Sequence, residues 1–157
     1  MSTTITIPAE REGREAPADL AERRAQMAGA LAAGYLPTPV GPVQEETIAG
    51  RRTLRLSPEG GNPRGTLVLF HGGGYRLGAP ENDARFAERL IERTGIEVVI
   101  PTYRLAPENP FPAGFNDALG VLEEVARIKG PGPLLVGGDS AGGGLAAALA
   151  VYAGANG

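Results

Sequence analysis

Ser140 lies in Gly138-Asp139-Ser140-Ala141-Gly142, a serine between two glycines at the spacing G-x-S-x-G. A serine hydroxyl can act as a nucleophile when a sharp strand-to-helix turn lifts it out of a sheet. The flanks supply both elements. The apolar run Pro133–Gly137 reads as a short buried strand, and Ala141–Ala150 as the helix after it. Glycines on either side leave room where the backbone folds back on itself. The helix N-terminus favours negative charge developing beside the serine. A glycine-rich loop carrying an ordinary serine has the same spelling, and with 24 Gly in 157 residues a second feature is needed to decide.

That second feature is His71-Gly72-Gly73-Gly74, which follows the apolar run Gly65–Phe70. Such a run reads as a strand covered on both faces. Three glycines straight after it can turn successive N–H groups into one cleft with no side chain in the way. Donors aimed in advance are what a tetrahedral oxyanion needs when an ester is attacked. A phosphate-binding loop would also be glycine-rich, but its Lys-Ser/Thr ending is absent. Between the glycines and the serine lie Tyr103-Arg104-Leu105-Ala106-Pro107-Glu108 and Phe111-Pro112-Ala113, in proline-rich chain that reads as loop.

The elements that must hold these loops alternate in type. A helix is expected from Pro17 to Leu31, with Leu20, Met27 and Leu31 near one face and Gly34 and Pro37 to stop it. It reads equally as a lid over a pocket or as a surface helix docked on the core. Short strands follow near Gln44–Ala49 and Arg51–Ser57, broken at Ala49-Gly50. After the glycine loop comes a helix over Glu81–Thr94, with Phe86, Leu90 and Ile91 on one side and Gly95 as its cap. Next are a strand at Ile96–Pro101 and a helix over Ala113–Lys129 with Leu119, Leu122, Val125 and Ile128 inward. Buried strands alternating with amphipathic helices predict an α/β fold with a mainly parallel sheet.

Composition narrows the function. A net charge of −3 with no basic block gives no reason to expect nucleic acid. The absence of Cys excludes disulfides and thiolate chemistry, and nothing in the sequence asks for a metal or cofactor. Met1–Glu10 has neither a basic nor an apolar signal region, and no run approaches the 18 or so apolar residues of a membrane span. The expected location is the cytoplasm.

Taken in order and spacing, the glycine run, the Tyr103–Glu108 and Phe111–Ala113 stretches and the serine turn resemble the hormone-sensitive-lipase-like carboxylesterases, the bacterial family IV esterases of the α/β-hydrolase fold. The resemblance runs from about residue 17 to the last. It implies a cap or lid region at 17–42 and the N-terminal half of the hydrolase core at 43–157; residues 1–16, polar and charged, read as a loose arm before it. It implies Ser140 as nucleophile and the backbone N–H groups of Gly73, Gly74 and Ala141 as oxyanion donors. The implied substrate is a small-molecule ester of short to medium acyl chain, with no cofactor. His71 is not expected to be the base, because the triad in this fold follows the order Ser, acid, His. It is expected, with Gly72, to shape the glycine loop. Arg104 is expected near the elbow as a support, paired with Glu108, Asp117 or Asp139. Tyr75 and Leu77 would line the acyl pocket or simply pack.

In one respect the sequence departs from this family. No Asp, Glu or His follows Ser140, so the triad acid and base have no candidate. The expectation is a chain truncated after the elbow helix and inactive alone, with an apolar strand edge that favours self-association. The alternative is a non-catalytic ligand-binding relative, but a binding protein has no need of the retained serine and oxyanion glycines.

Overall fold

The computed structural model describes residues 4–34 and 39–156; Pro37, expected to stop the first helix, lies outside them. Among the described residues five strands form one sheet: β1 (Gln44–Ile48), β2 (Arg51–Leu56), β3 (Thr66–Phe70), β4 (Glu97–Pro101) and β5 (Leu134–Gly138), in the order β1-β2-β4-β3-β5. The described helices are α1 (Ala18–Ala32), α2 (Glu81–Thr94), α3 (Ala113–Ile128) and α4 (Ala141–Asn156). The sheet is parallel across β4-β3-β5 and antiparallel where β1 and β2 join it. Ala49 and Gly50, at φ of 48° and 75°, make the two-residue turn of the β1–β2 hairpin, where the strand twist favours positive φ.

Alternation along the central strands sorts the core into two layers. Leu67, Leu69, Val98 and Ile100 face α2, while Val68, Phe70 and Val99 face α3 and α4. Val68, Phe70, Val98, Val99 and Ile100 are fully buried, each burial contributing about 1.5–3 kcal/mol. From β3 the chain crosses to β4 on one side, then returns over β3 to β5. Right-handed crossovers run in opposite directions therefore place α2 and α3 on opposite faces.

Three expectations are corrected. On α2 Leu90 and Ile91 pack on the core as expected, but the buried residues are Ala84 and Ala87 and Phe86 points outward; on α3 Leu119, Leu122 and Val125 pack as expected, beside Phe115, Ala118 and Val121, while Ile128 is exposed. Strand β5, read as buried, is half-exposed, with Leu135 at 44% exposure; among the described residues it pairs only with β3, which is the unpaired apolar edge that was expected. The segment expected to hang loose before α1 is held at three points. Ile5 exchanges two hydrogen bonds with the Asn156 amide, Glu10 binds Arg104, and Arg14 N donates to Pro107 O at 3.0 Å. No described helix is long and apolar enough to cross a membrane.

Candidate active site

Because Phe70 pairs with Gly138, the segments leaving β3 and β5 start side by side. They then depart to opposite faces, β3 toward α2 and β5 toward α4, which opens a crevice at the carboxyl ends of the strands. His71–Gly74 form one bank and Asp139–Ser140 the other. Asp139 N donates to Phe70 O at 3.2 Å and ties the two together.

Ser140 takes a φ of +49° between β5 and α4. A side chain in this left-handed region costs on the order of 1–3 kcal/mol and persists only where its surroundings impose it. Here Gly142 N donates to Asp139 O at 2.7 Å, and Gly144 N to Ser140 O at 3.1 Å. A Cβ on Gly138 would collide with the carbonyl group of Gly142, and one on Gly142 would overlap the carbonyl oxygen of Phe70. So α4 starts hard against the end of β3, while Ser140 stays exposed.

On the opposite bank Gly73 and Gly74 have φ of 120° and 61°. Gly73 O accepts from Arg76 N at 3.1 Å and Leu77 N at 2.9 Å, which closes the loop into a tight turn. The N–H groups of Gly73, Gly74 and Ala141 donate to no backbone acceptor among the described residues. Tyr75, at φ 61°, is 44% exposed, and its hydroxyl reaches the first turn of α4, where a Cβ on Gly144 would overlap it.

His71 lies beneath the glycine loop. Its ring is 1% exposed and stacks on Tyr103 at 4.3 Å between centroids. Nδ1–H donates to Gly72 O at 2.8 Å, and the Tyr103 hydroxyl donates to His71 O at 2.8 Å. Burial pushes the imidazole pKa down, so the ring is neutral, and pushes the Tyr103 phenol up, so the hydroxyl keeps its proton. The histidine ring is thus packed under the loop with one nitrogen bound to it.

The charged residues settle differently from one another. Arg104 donates through Nε and Nη2 to Asp117 on α3 at 2.9–3.1 Å and forms a two-pronged pair with Glu10 at 2.8 Å. Of its three possible partners only Asp117 is used. Glu108 instead holds Arg24 of α1, and that hydrogen bond keeps the Glu108 carboxyl below the usual range. Asp139 packs against Gly72, where a Cβ would lie 2.5 Å from its Oδ2.

Three participants were missed in the sequence: Glu10, Arg24 and Asp83. Glu10 and Arg24 find their partners 94 and 84 residues away, a separation with no local pattern to betray it. Asp83 lies in the first turn of α2 with a buried, unpartnered Oδ2, and burial together with the Asp139 charge pushes its carboxyl up. It and Asp139 form the polar end of a groove of about 490 Å³ lined by Leu67, Leu69, Phe86 and Leu90.

Known proteins bear on this arrangement. The family model described as the alpha/beta hydrolase fold matches residues 67–157. An AB hydrolase superfamily protein of Schizosaccharomyces pombe is 45% identical over 98 residues, covering 59% of this chain and 28% of that protein. An acetyl-hydrolase of Streptomyces hygroscopicus is 35% identical over 140 residues, covering 88% of this chain and 44% of its own length. A solved hormone-sensitive lipase from a metagenome library superposes with a TM-score of 0.77 at 29% identity, over 92% of this chain and 48% of that one. The chain therefore spans less than half the length of these relatives. With the serine turn and the glycine loop on adjacent strand ends, the chain belongs to the alpha/beta-hydrolase family, among the carboxylesterases and lipases related to hormone-sensitive lipase.

Proposed function

We propose that the chain carries the nucleophile and oxyanion site of a serine carboxylesterase acting on small-molecule esters. Ser140 is the nucleophile, and the N–H groups of Gly73, Gly74 and Ala141 are the donors. The observation that carries this reading is the strained, exposed Ser140 just after β5, beside a loop in which the Gly73 and Gly74 N–H groups donate to no backbone acceptor among the described residues. The serine oxygen attacks the ester carbonyl carbon, and the carbonyl oxygen becomes an anion facing these donors and the start of α4. Each such donor is worth about 10²–10³ in rate.

The serine proton needs an acceptor. What sets His71 against that role is its burial beneath the loop and not its hydrogen bond, since Nδ1–H on Gly72 O leaves Nε2 unprotonated, and no Asp, Glu or His follows Ser140. A serine hydroxyl without a base is a weak nucleophile at neutral pH. The chain alone is therefore expected to hydrolyse short-chain aryl esters no faster than its Ser140→Ala variant. Fused to, or co-folded with, the C-terminal half of a related esterase, it should gain a rate that Ser140→Ala abolishes. Hydrolysis by the fusion that survives Ser140→Ala would remove Ser140 from the mechanism. A rate of the unassisted chain abolished by both Ser140→Ala and His71→Ala would make His71 the base. The half-paired β5 also supports self-association of the chain through that edge.

A further inference from the structure

Among the described residues, Arg24 is the one side chain of α1 that hydrogen-bonds outside its own helix. Nε donates to Arg76 O at 2.8 Å, Nη2 to Ala106 O at 3.0 Å, and the fork holds both oxygens of Glu108. The contact with Arg76 has a sequel inside the glycine loop. The Arg76 carbonyl and the Leu77 N–H belong to one peptide plane, and a trans plane points them in opposite directions. Leu77 N–H donates to Gly73 O at 2.9 Å, and Gly73 O shares its own plane with the Gly74 N–H. Two peptide groups thus stand in line: guanidinium to Arg76 carbonyl, Leu77 N–H to Gly73 carbonyl, and then the Gly74 N–H, which donates to no backbone acceptor among the described residues.

Hydrogen bonds in such a line polarise one another, each acceptor drawn upon making the N–H of its plane a better donor. A cation at the head gives the largest effect, since charge-assisted bonds are about twice as strong as neutral ones. We propose that Arg24 is a positioning residue for the oxyanion site, fixing and polarising the Gly74 N–H from α1 through the Arg76–Leu77 and Gly73–Gly74 peptide planes. This rests on the reading of Gly74 as an oxyanion donor. Glu108 acts in the opposite sense, since its carboxylate offsets part of the guanidinium charge.

The test is nuclear magnetic resonance on the full 157-residue chain, reading the Leu77 and Gly74 amides. Arg24→Gln should speed Leu77 amide exchange by about 2- to 10-fold, the worth of one hydrogen bond, and shift both amide protons upfield. Arg24→Lys, which keeps the charge and one donor, should recover part of the shift. Glu108→Gln should move both amides downfield. Leu20→Ala loosens the docking of α1 without touching the guanidinium, and should quicken exchange in α1 while leaving Leu77 and Gly74 in place. Unchanged Leu77 and Gly74 amides in Arg24→Gln would overturn the proposal, as would equal changes in Leu20→Ala or an upfield shift in Glu108→Gln. Failure of the esterase reading looks different: the fusion would show no Ser140-dependent hydrolysis while the amide responses to Arg24 persisted.

Discussion

A lone histidine close to a nucleophilic serine invites assignment as its base, yet the His71 ring lies under the glycine loop with Nδ1–H on the Gly72 carbonyl. Its burial has a thermodynamic signature. The folded chain holds the imidazole below its ordinary value of 6.5, so in the window just under pH 6.5 the unfolded chain binds a proton that the folded one refuses. Stability therefore falls as the pH drops through that window, by at most about 1.4 kcal/mol per pH unit. Asp83, whose carboxyl is raised, acts with the opposite sign, so the comparison must be made against a variant. Urea unfolding between pH 5 and 7 should show a slope in the parent that exceeds the slope in His71→Gln; equal slopes would place the ring in water. That His71 would accompany the glycine loop was expected from the chain order of the motifs. The partner of Arg104 was not legible in this way. Asp117, Glu108 and Asp139 are alike as charges, and only the packing of α3 brings Asp117 to the guanidinium.

The elements were legible in type and position, because buried strands and long amphipathic helices leave strong periodic marks. Their inner faces were less so. On α2 the buried residues are Ala84 and Ala87, small enough to let the helix lie close on the sheet but too weakly apolar to dominate a hydrophobic pattern. The larger Phe86 drew the expected face toward itself and lies 53% exposed. In α4 the glycines carry the information. A Cβ on Gly142 would run into the Phe70 carbonyl, whereas one on Gly154 of the same helix meets open space. Gly142→Ala should therefore destabilise the chain by about 2–4 kcal/mol, through displacement of the helix start from β3. Gly154→Ala should be stabilising by about 0.5 kcal/mol, by reducing the freedom of the unfolded chain. Chemical unfolding of the pair checks both signs. A neutral Gly142→Ala would mean that the serine turn tolerates a shifted helix.

At the scale of the molecule, apolar sequence announces that a surface can be covered and is silent on whether the cover is present. The apolar run Leu134–Val136 by itself read as buried, and it was the missing partner strands that gave the expectation of the half-exposed edge seen in β5. Self-association through this edge should appear in sedimentation at tens of micromolar, on the order of concentrations where exposed edges find partners. Leu135→Lys, a charge set beside the free backbone, should return the chain to monomer; a parent that is monomeric at the same concentration would count against the edge as an interface. The opposite margin of the sheet is built otherwise. There Arg52 joins Glu45 to Glu81 of α2, and Arg55 joins Glu46 to Glu97 of β4, so that the edge strand β1 carries carboxylates held from the inner side. A strand docking on β1 would meet Glu45 and Glu46, and charged side chains on an edge oppose such pairing. The molecule is in this sense monovalent. With one receptive margin and one refractory margin, association is expected to close as a two-fold pair and stop, because a fibre needs every subunit to offer two.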